Sequence, residues 1–518
     1  MHLLRTVGFA RPGLAAVGVL AVLAMATGCS GSHGDSAAVR RSPASTAGGK
    51  GGAASVLVAS TRRPAAPVSE LSVTAPETLT TRFAASVLRS APVVVVAAEK
   101  KADLAAAKRA ARTAHAPVVL ATAVTAGLAA DVRKLRPRDV MVEGLSARRL
   151  AALLPGTHVV TSPKGLPATR DPATQRGVAV LMREPAQSPA ASAITATAAA
   201  AGVAVVPVRG TDPRADAGTV QALARLKPGT VIAVGTGFGA TALLSSRISV
   251  AKTGVQLPGG GQVMFPGRRL VALYGHPDTP GLGALGEQDL TASIARAKEM
   301  ASEYKGLSRV PVVPAFEIIA SVAEGSPGPD GDYSYETPVS MLEPWVKAAT
   351  KAGMYVVLDL QPGRASLLSQ AEAYQSLLRL PNVGLALDAE WKLQPGQVPL
   401  EQIGHVDIGE VNGVVSWLAA LTARYHLPQK LLVLHQFQLQ MIRDEQDLDT
   451  HNDDLAIVIH MDGQGAPAVK QQTWNSVTAA APKGVFFGWK NFFVKDDPML
   501  TPQETMRETP TPVMISYQ

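Results

Sequence analysis

Residues 382–393 read NVGLALDAEWKL. An apolar run ends on two carboxylates one residue apart, followed by a tryptophan. In an extended strand, side chains alternate between two faces, so Gly384, Ala386, Asp388 and Glu390 fall on one and Val383, Leu385 and Leu387 on the other. Large aliphatics suit a helix-covered outer face, and small residues suit the crowded inside of a barrel. The segment therefore reads as a barrel strand whose interior face opens onto two acids.

The flanking sequence supports this. From residue 268 onward, apolar strands alternate with helical stretches. The expected strands are 269–275, 310–316, 354–360, 383–387, 430–434, 455–459 and 485–488, with 512–516 as the candidate eighth. Helices are expected at 289–304, 338–352, 366–379, 408–425 and 466–480. About 250 residues with this alternation fit a (β/α)8-type barrel, and such barrels carry their chemistry at the C-terminal ends of the strands. Those ends give His276, Glu317, Asp359 with Gln361, Asp388 with Glu390 and Trp391, His435, His460 with Asp462, and Trp489 with Lys490. Polar and aromatic groups on seven consecutive strands suggest a lined pocket. Two close carboxylates do not both ionise cheaply, so one of Asp388 and Glu390 should stay protonated.

Charge divides the chain. Residues 1–261 hold 30 Lys and Arg against 12 Asp and Glu, a net of +18. The remaining residues hold 19 against 29, a net of −10. All five Trp and all eight Tyr lie in this acidic part. The expected domains are 54–257 and 262–518, with different partners. The basic part repeats itself. Residues 91–144 and 177–235 each give apolar strand, Ala-rich helix, apolar strand, short helix, Leu-basic-Pro and apolar strand, the sign of tandem α/β units with parallel sheets. Gly235-Thr236-Gly237-Phe238-Gly239 is a lone glycine-rich turn, and its counterpart Gly144-Leu145-Ser146 lacks the pattern. No nucleotide or other cofactor is expected.

At the N-terminus, His2, Arg5 and Arg11 precede an apolar stretch at 14–26, then Ala26-Thr27-Gly28-Cys29. The stretch is too short to span a bilayer and reads as a secretory signal at 1–28. Residues 29–53 have almost no large apolar side chain and read as a flexible tether. Cys29 is the only cysteine, so no intramolecular disulfide can form. Export excludes nucleic acid as the expected partner, and a basic surface there suits an anionic wall polymer or a membrane surface.

Three resemblances follow from these motifs. Ala26-Thr27-Gly28-Cys29 resembles a bacterial lipobox, which implies cleavage before Cys29, lipidation of its sulfur and anchoring at the cell envelope. Leu135-Arg136-Pro137 before Val140–Gly144, and Leu226-Lys227-Pro228 before Val231–Gly235, resemble the type 2 cell-wall-binding repeat, a Rossmann-like unit. That implies noncovalent attachment to anionic wall polymer. Asp388-x-Glu390 resembles the glycoside-hydrolase barrels, notably family 25 lysozymes and chitinase-type enzymes. There the Glu is the acid/base, and the Asp supports charge or orients an acetamide. The strand-end residues above would then bind the glycan. This chain departs from those families where they carry further aspartates, at Gly384, Ala386 and strand one. A barrel that grips sugar without cleaving it stays open. So does a metal hydrolase resembling the amidohydrolases, with His276, His435 and His460 as ligands. Oligomeric state is not legible.

Two loops also draw notice. Residues 444–454 hold six acids without EF-hand spacing and read as a solvated loop. Residues 325–335, rich in Gly, Pro and Tyr, read as a turn-rich loop over strand two's end and a candidate lid.

Overall fold

The computed structural model describes residues 55–183 and 188–518. The expected signal, the tether and Cys29 lie outside them. Among the described residues, no helix is long and apolar enough to cross a membrane.

The basic part contains two four-stranded, all-parallel sheets. One has the order Val118–Ala121, Val93–Ala98, Asp139–Glu143, His158–Val160. The other has the order Ala204–Val208, Val178–Arg183, Thr230–Val234, Val68–Leu71. Their central strands are buried along nearly their whole length, as parallel strands covered on both faces must be. A single apolar core runs through both sheets, with Val95, Val119, Val180 and Ile232 among its members. Two threonines stitch its edge: Thr80 Oγ1 accepts from Leu120 N at 3.1 Å, and Thr197 Oγ1 from Val118 N at 3.0 Å. Residues 56–76 supply an edge strand to the second sheet rather than a layer of their own.

From Arg269 the chain forms a closed barrel of eight parallel strands: Arg269–Gly275, Val312–Ala323, Tyr355–Leu360, Val383–Asp388, Lys430–Gln436, Leu455–Met461, Phe486–Asn491 and Met514–Tyr517. Strand one pairs with both strand two and strand eight, which leaves no free edge. All five expected helices form, as Leu290–Tyr304, Val339–Lys351, the pair Leu367–Ala373 and Gln375–Leu378, Ile408–Arg424 and Pro467–Ala480. Between strands five and six only 3₁₀ turns and a short strand intervene. Val383, Leu385 and Leu387 join the outer core under the helices, whereas Ala386 joins the interior cluster with Ala272, Ala315, Val357, Val433 and Val458. The alternation read from 382–388 therefore holds.

The glycine-rich junction is packed rather than loose. Leu257, Met264 and Phe265 plug the N-terminal mouth of the barrel as part of its interior cluster. The buried Arg268 guanidinium donates to the carbonyls of Pro258, Gly260, Val263 and Met264. Arg214 and Arg247, from the basic part, both grip Asp453, at 2.8 and 2.6 Å. The acid-rich 444–454 segment is thus partly an interface, and Glu445 within it is buried against Gln436 Nε2 at 2.9 Å. The expectation of a purely solvated loop is corrected.

One interior position tests the packing directly. A Cβ on Gly488 would lie 2.6 Å from His460 Cδ2 and 3.2 Å from Val458 Cγ1. His460 is fully buried and has no room to swing away. Gly488→Ala is expected to destabilise the fold by roughly 1–3 kcal/mol through overpacking, read as a lower urea midpoint at unchanged slope.

Candidate functional site

Above the apolar interior, the next inward position on every strand is polar: Tyr274, Glu317, Asp359, Asp388, His435, His460, Lys490 and Ser516. All eight are buried. An ordinary barrel would fill this layer with aliphatics. Here it is the floor of a cavity of about 270 Å³ at the C-terminal mouth. The cavity is lined by Asp388, Glu390, Asp462, Lys490 and Gln361, and walled by Trp391, Phe437 and Phe492.

His435 organises the floor. Its Nε2 lies 3.0 Å from Glu317 Oε1 and its Nδ1 lies 3.1 Å from Asp462 Oδ2. A carboxylate beside each nitrogen favours a proton on both, the imidazolium form. Burial alone would push its pKa down, but Glu317, Asp462 and Asp359 outweigh that and hold it well above the ordinary histidine value. Burial also works against charge on Asp462, yet the His435 contact holds its carboxyl below the usual range. His460 lies 5.1 Å away, ring centre to ring centre, and its Nε2 meets Ser516 Oγ at 3.1 Å. Burial, with His435 and Lys490 nearby, keeps it neutral. Tyr274 donates to Asp359 Oδ2 at 2.9 Å. Burial and Glu317 raise the Asp359 carboxyl to about 6, against the pull of His435 and Lys490.

Asp388 and Glu390 meet in the cavity, though not by simple alternation. The strand ends at Asp388, and Ala389–Trp391 is a 3₁₀ turn. That turn is clamped from behind: Gly404 N donates to Glu390 O at 2.6 Å, where any Cβ on Gly404 would clash. Asp388, Glu390 and Asp462 each present a carboxylate oxygen within 4.8 Å of the other two. Burial and the charges of Asp359 and Glu390 push Asp388 well above the ordinary carboxyl value, and burial with Asp462 raises Glu390 to about 7. Among the described residues, neither is ion-paired. Arg364 stacks on Tyr333 at 4.5 Å, and Lys490 lies over the Tyr274 ring at 3.5 Å. One oxygen each of Asp388 and Asp462 is buried without a partner.

Of the residues expected to line the pocket, Trp391, Gln361, Asp462 and Lys490 do so. Glu317, Asp359, His435 and His460 belong to the floor layer but do not themselves line the cavity. His276 and Trp489 are corrections. The inward position on strand one is Tyr274, and the chain turns off at Gly275 with φ 146°. His276 is thereby left between Thr279 Oγ1 at 2.9 Å and Thr337 Oγ1 at 3.0 Å. Trp489 alternates outward from Lys490, packs 5.4 Å from Trp474 and donates to Asn491 Oδ1 at 2.8 Å. The three histidines that the metal-hydrolase alternative would need as ligands therefore do not converge. The groups that could hold a cation are Asp388, Glu390 and Asp462, and separately Asp330, Asp332 and Glu336. From the 325–335 excursion and its flanking strand, only Ile319 and Ala323 reach the cavity. Tyr274, Phe492 and Lys495 are not among the expected residues, whereas Phe437, at the end of strand five, is where the strand-end reading puts an aromatic. The Leu270-Ala272-Tyr274 alternation would have found the first.

Compared with protein-family models, curated proteins and solved structures, the chain gives no match.

Proposed function

We propose that the barrel mouth binds an envelope glycan and hydrolyses it by acid catalysis, with Glu390 as the proton donor. The observation that carries this is the carboxylate trio with oxygens within 4.8 Å of one another, of which Asp388 and Glu390 have no ion-pair partner among the described residues, walled by aromatics able to stack on sugar faces. A glutamic acid raised to about 7 is poised to donate near neutrality. Its proton goes to the glycosidic oxygen as the C–O bond breaks. Asp462, held ionised by His435, faces the positive charge that develops on the sugar. Asp388, buried and protonated, donates a hydrogen bond to a substrate oxygen. Water then completes the cleavage and Glu390 recovers its proton.

The basic part fits a wall-associating role. The three repeat strands of each parallel sheet follow the same spatial order, second-first-third, which supports the tandem-unit reading, and the +18 charge of residues 1–261 suits an anionic polymer. The signal and Cys29 would anchor the chain by lipid at the outer face of the cytoplasmic membrane. A second reading keeps the same trio but has it hold a divalent cation, as oxygen-rich clusters can. Incubation with purified envelope polysaccharides, peptidoglycan included, separates these readings. New reducing ends that persist in chelator and vanish in Glu390→Gln support acid catalysis. Activity lost to chelator and restored by a divalent ion supports the second, and binding without cleavage reduces the barrel to a glycan grip.

A further inference from the structure

We propose that the strand-seven side of the cavity is a subsite for an anionic substituent on the sugar, a carboxylate or a phosphate, held by the ammoniums of Lys490 and Lys495. This rests on the reading that the cavity takes a saccharide. Lys490 is 3% exposed, lines the cavity, and its Nζ makes no hydrogen bond or ion pair among the described residues. A buried ammonium has three protons to place, and leaving them unmet is costly. The Tyr274 ring, 3.5 Å from Nζ, and the Phe492 ring at 5.3 Å offer it π faces but no acceptor. Asp359, Glu390 and Asp462 feel its charge, yet none comes within ion-pair distance. Its open donors therefore face the cavity.

The segment is built to hold these groups there. Lys470 Nζ donates to Lys490 O at 2.6 Å and pairs with the buried Asp496. Asp496 in turn accepts from Phe492 N at 2.9 Å. This buried pair ties strand seven to the loop that carries Phe492 and Lys495. Phe492 and Lys495 also line a neighbouring depression that the carboxylate trio does not reach; Glu287, paired with Arg296 at 2.6 Å, is the one acidic side chain on its wall. Lys495 thus borders both the cavity and a depression free of the trio, which puts the anionic group on the side away from those acids.

The test measures binding of N-acetylglucosamine, N-acetylmuramic acid and N-acetylglucosamine 6-phosphate to the full chain by titration calorimetry at low salt. These share a ring and differ in carrying no charge, a carboxylate or a phosphate. At least one anionic sugar should bind about ten-fold or more tighter than the neutral one, and added salt should narrow the gap. In Lys490→Met/Lys495→Met the ratio should fall to about one. The exposed Lys495→Met alone, which leaves the buried network intact, should lose part of it. Equal binding of all three sugars, no binding of any, or a preference that survives in the double variant overturns the proposal. Charge preference without glycan cleavage would leave the subsite standing and remove only the hydrolytic reading.

Discussion

Glu390→Gln is expected to lower glycan hydrolysis by 10²–10⁴-fold while fragment binding is kept, because the amide fills the same space but has no proton to give. The native pH–rate profile should fall on the alkaline side near 7, where Glu390 ionises. On the acid side it should fall below the ordinary carboxyl range, where Asp462 takes up a proton. Stability carries a matching signature. A carboxyl whose folded pKa is raised supports the fold fully below its unfolded value, and that support fades as pH rises through the folded one. The native chain should therefore lose stability relative to Glu390→Gln between about pH 4.5 and 7. Parallel denaturant titrations at pH 5 and pH 8 read the difference. An active variant, or identical pH dependence of stability, would remove Glu390 from the role.

His435→Leu should be the most damaging single change in the floor. It leaves Glu317, Asp359 and Asp462 buried without their shared cation, and breaking such a network typically costs about 3–5 kcal/mol. The sign with pH follows from the raised value of His435. Its stabilisation is complete below the ordinary histidine pKa and fades only as pH rises through the higher folded one. The gap between native and variant should be wide at pH 7 and narrow toward pH 4, where the orphaned carboxyls can protonate. Equilibrium unfolding in urea at both pH values checks this. A loss under about 1 kcal/mol at pH 7 would mean the imidazolium is not the keystone of the floor.

The barrel was legible because alternating apolar runs and helical periods are local properties of the chain, and 383–388 faces as read. Strands two, five and six are expected to stop before Glu317, His435 and His460, and strand seven before Trp489, yet Glu317, His435, His460 and Lys490 are still in strand, since a barrel that floors a wet cavity carries polar side chains within its sheet. On strand one the end at Gly275 is as read, but the inward side chain is Tyr274 within the strand and not His276 after it. Trp489 was judged by residue type instead of by face. Glu390 reached the site through a turn held by Gly404, a contact that no periodicity encodes. The grip of Arg214 and Arg247 on Asp453 joins residues more than 200 positions apart, so the charge split between the two parts could be seen while the bond between them could not.

The most direct test is a crystal structure of Glu390→Gln soaked with an N-acetylated oligosaccharide cut from envelope glycan. The proposed mechanism predicts a sugar ring against Trp391 and Phe437, with a glycosidic oxygen about 3 Å from the side chain at 390. A saccharide bound elsewhere on the chain, or seated at the mouth with no bridging oxygen near that side chain, would contradict it.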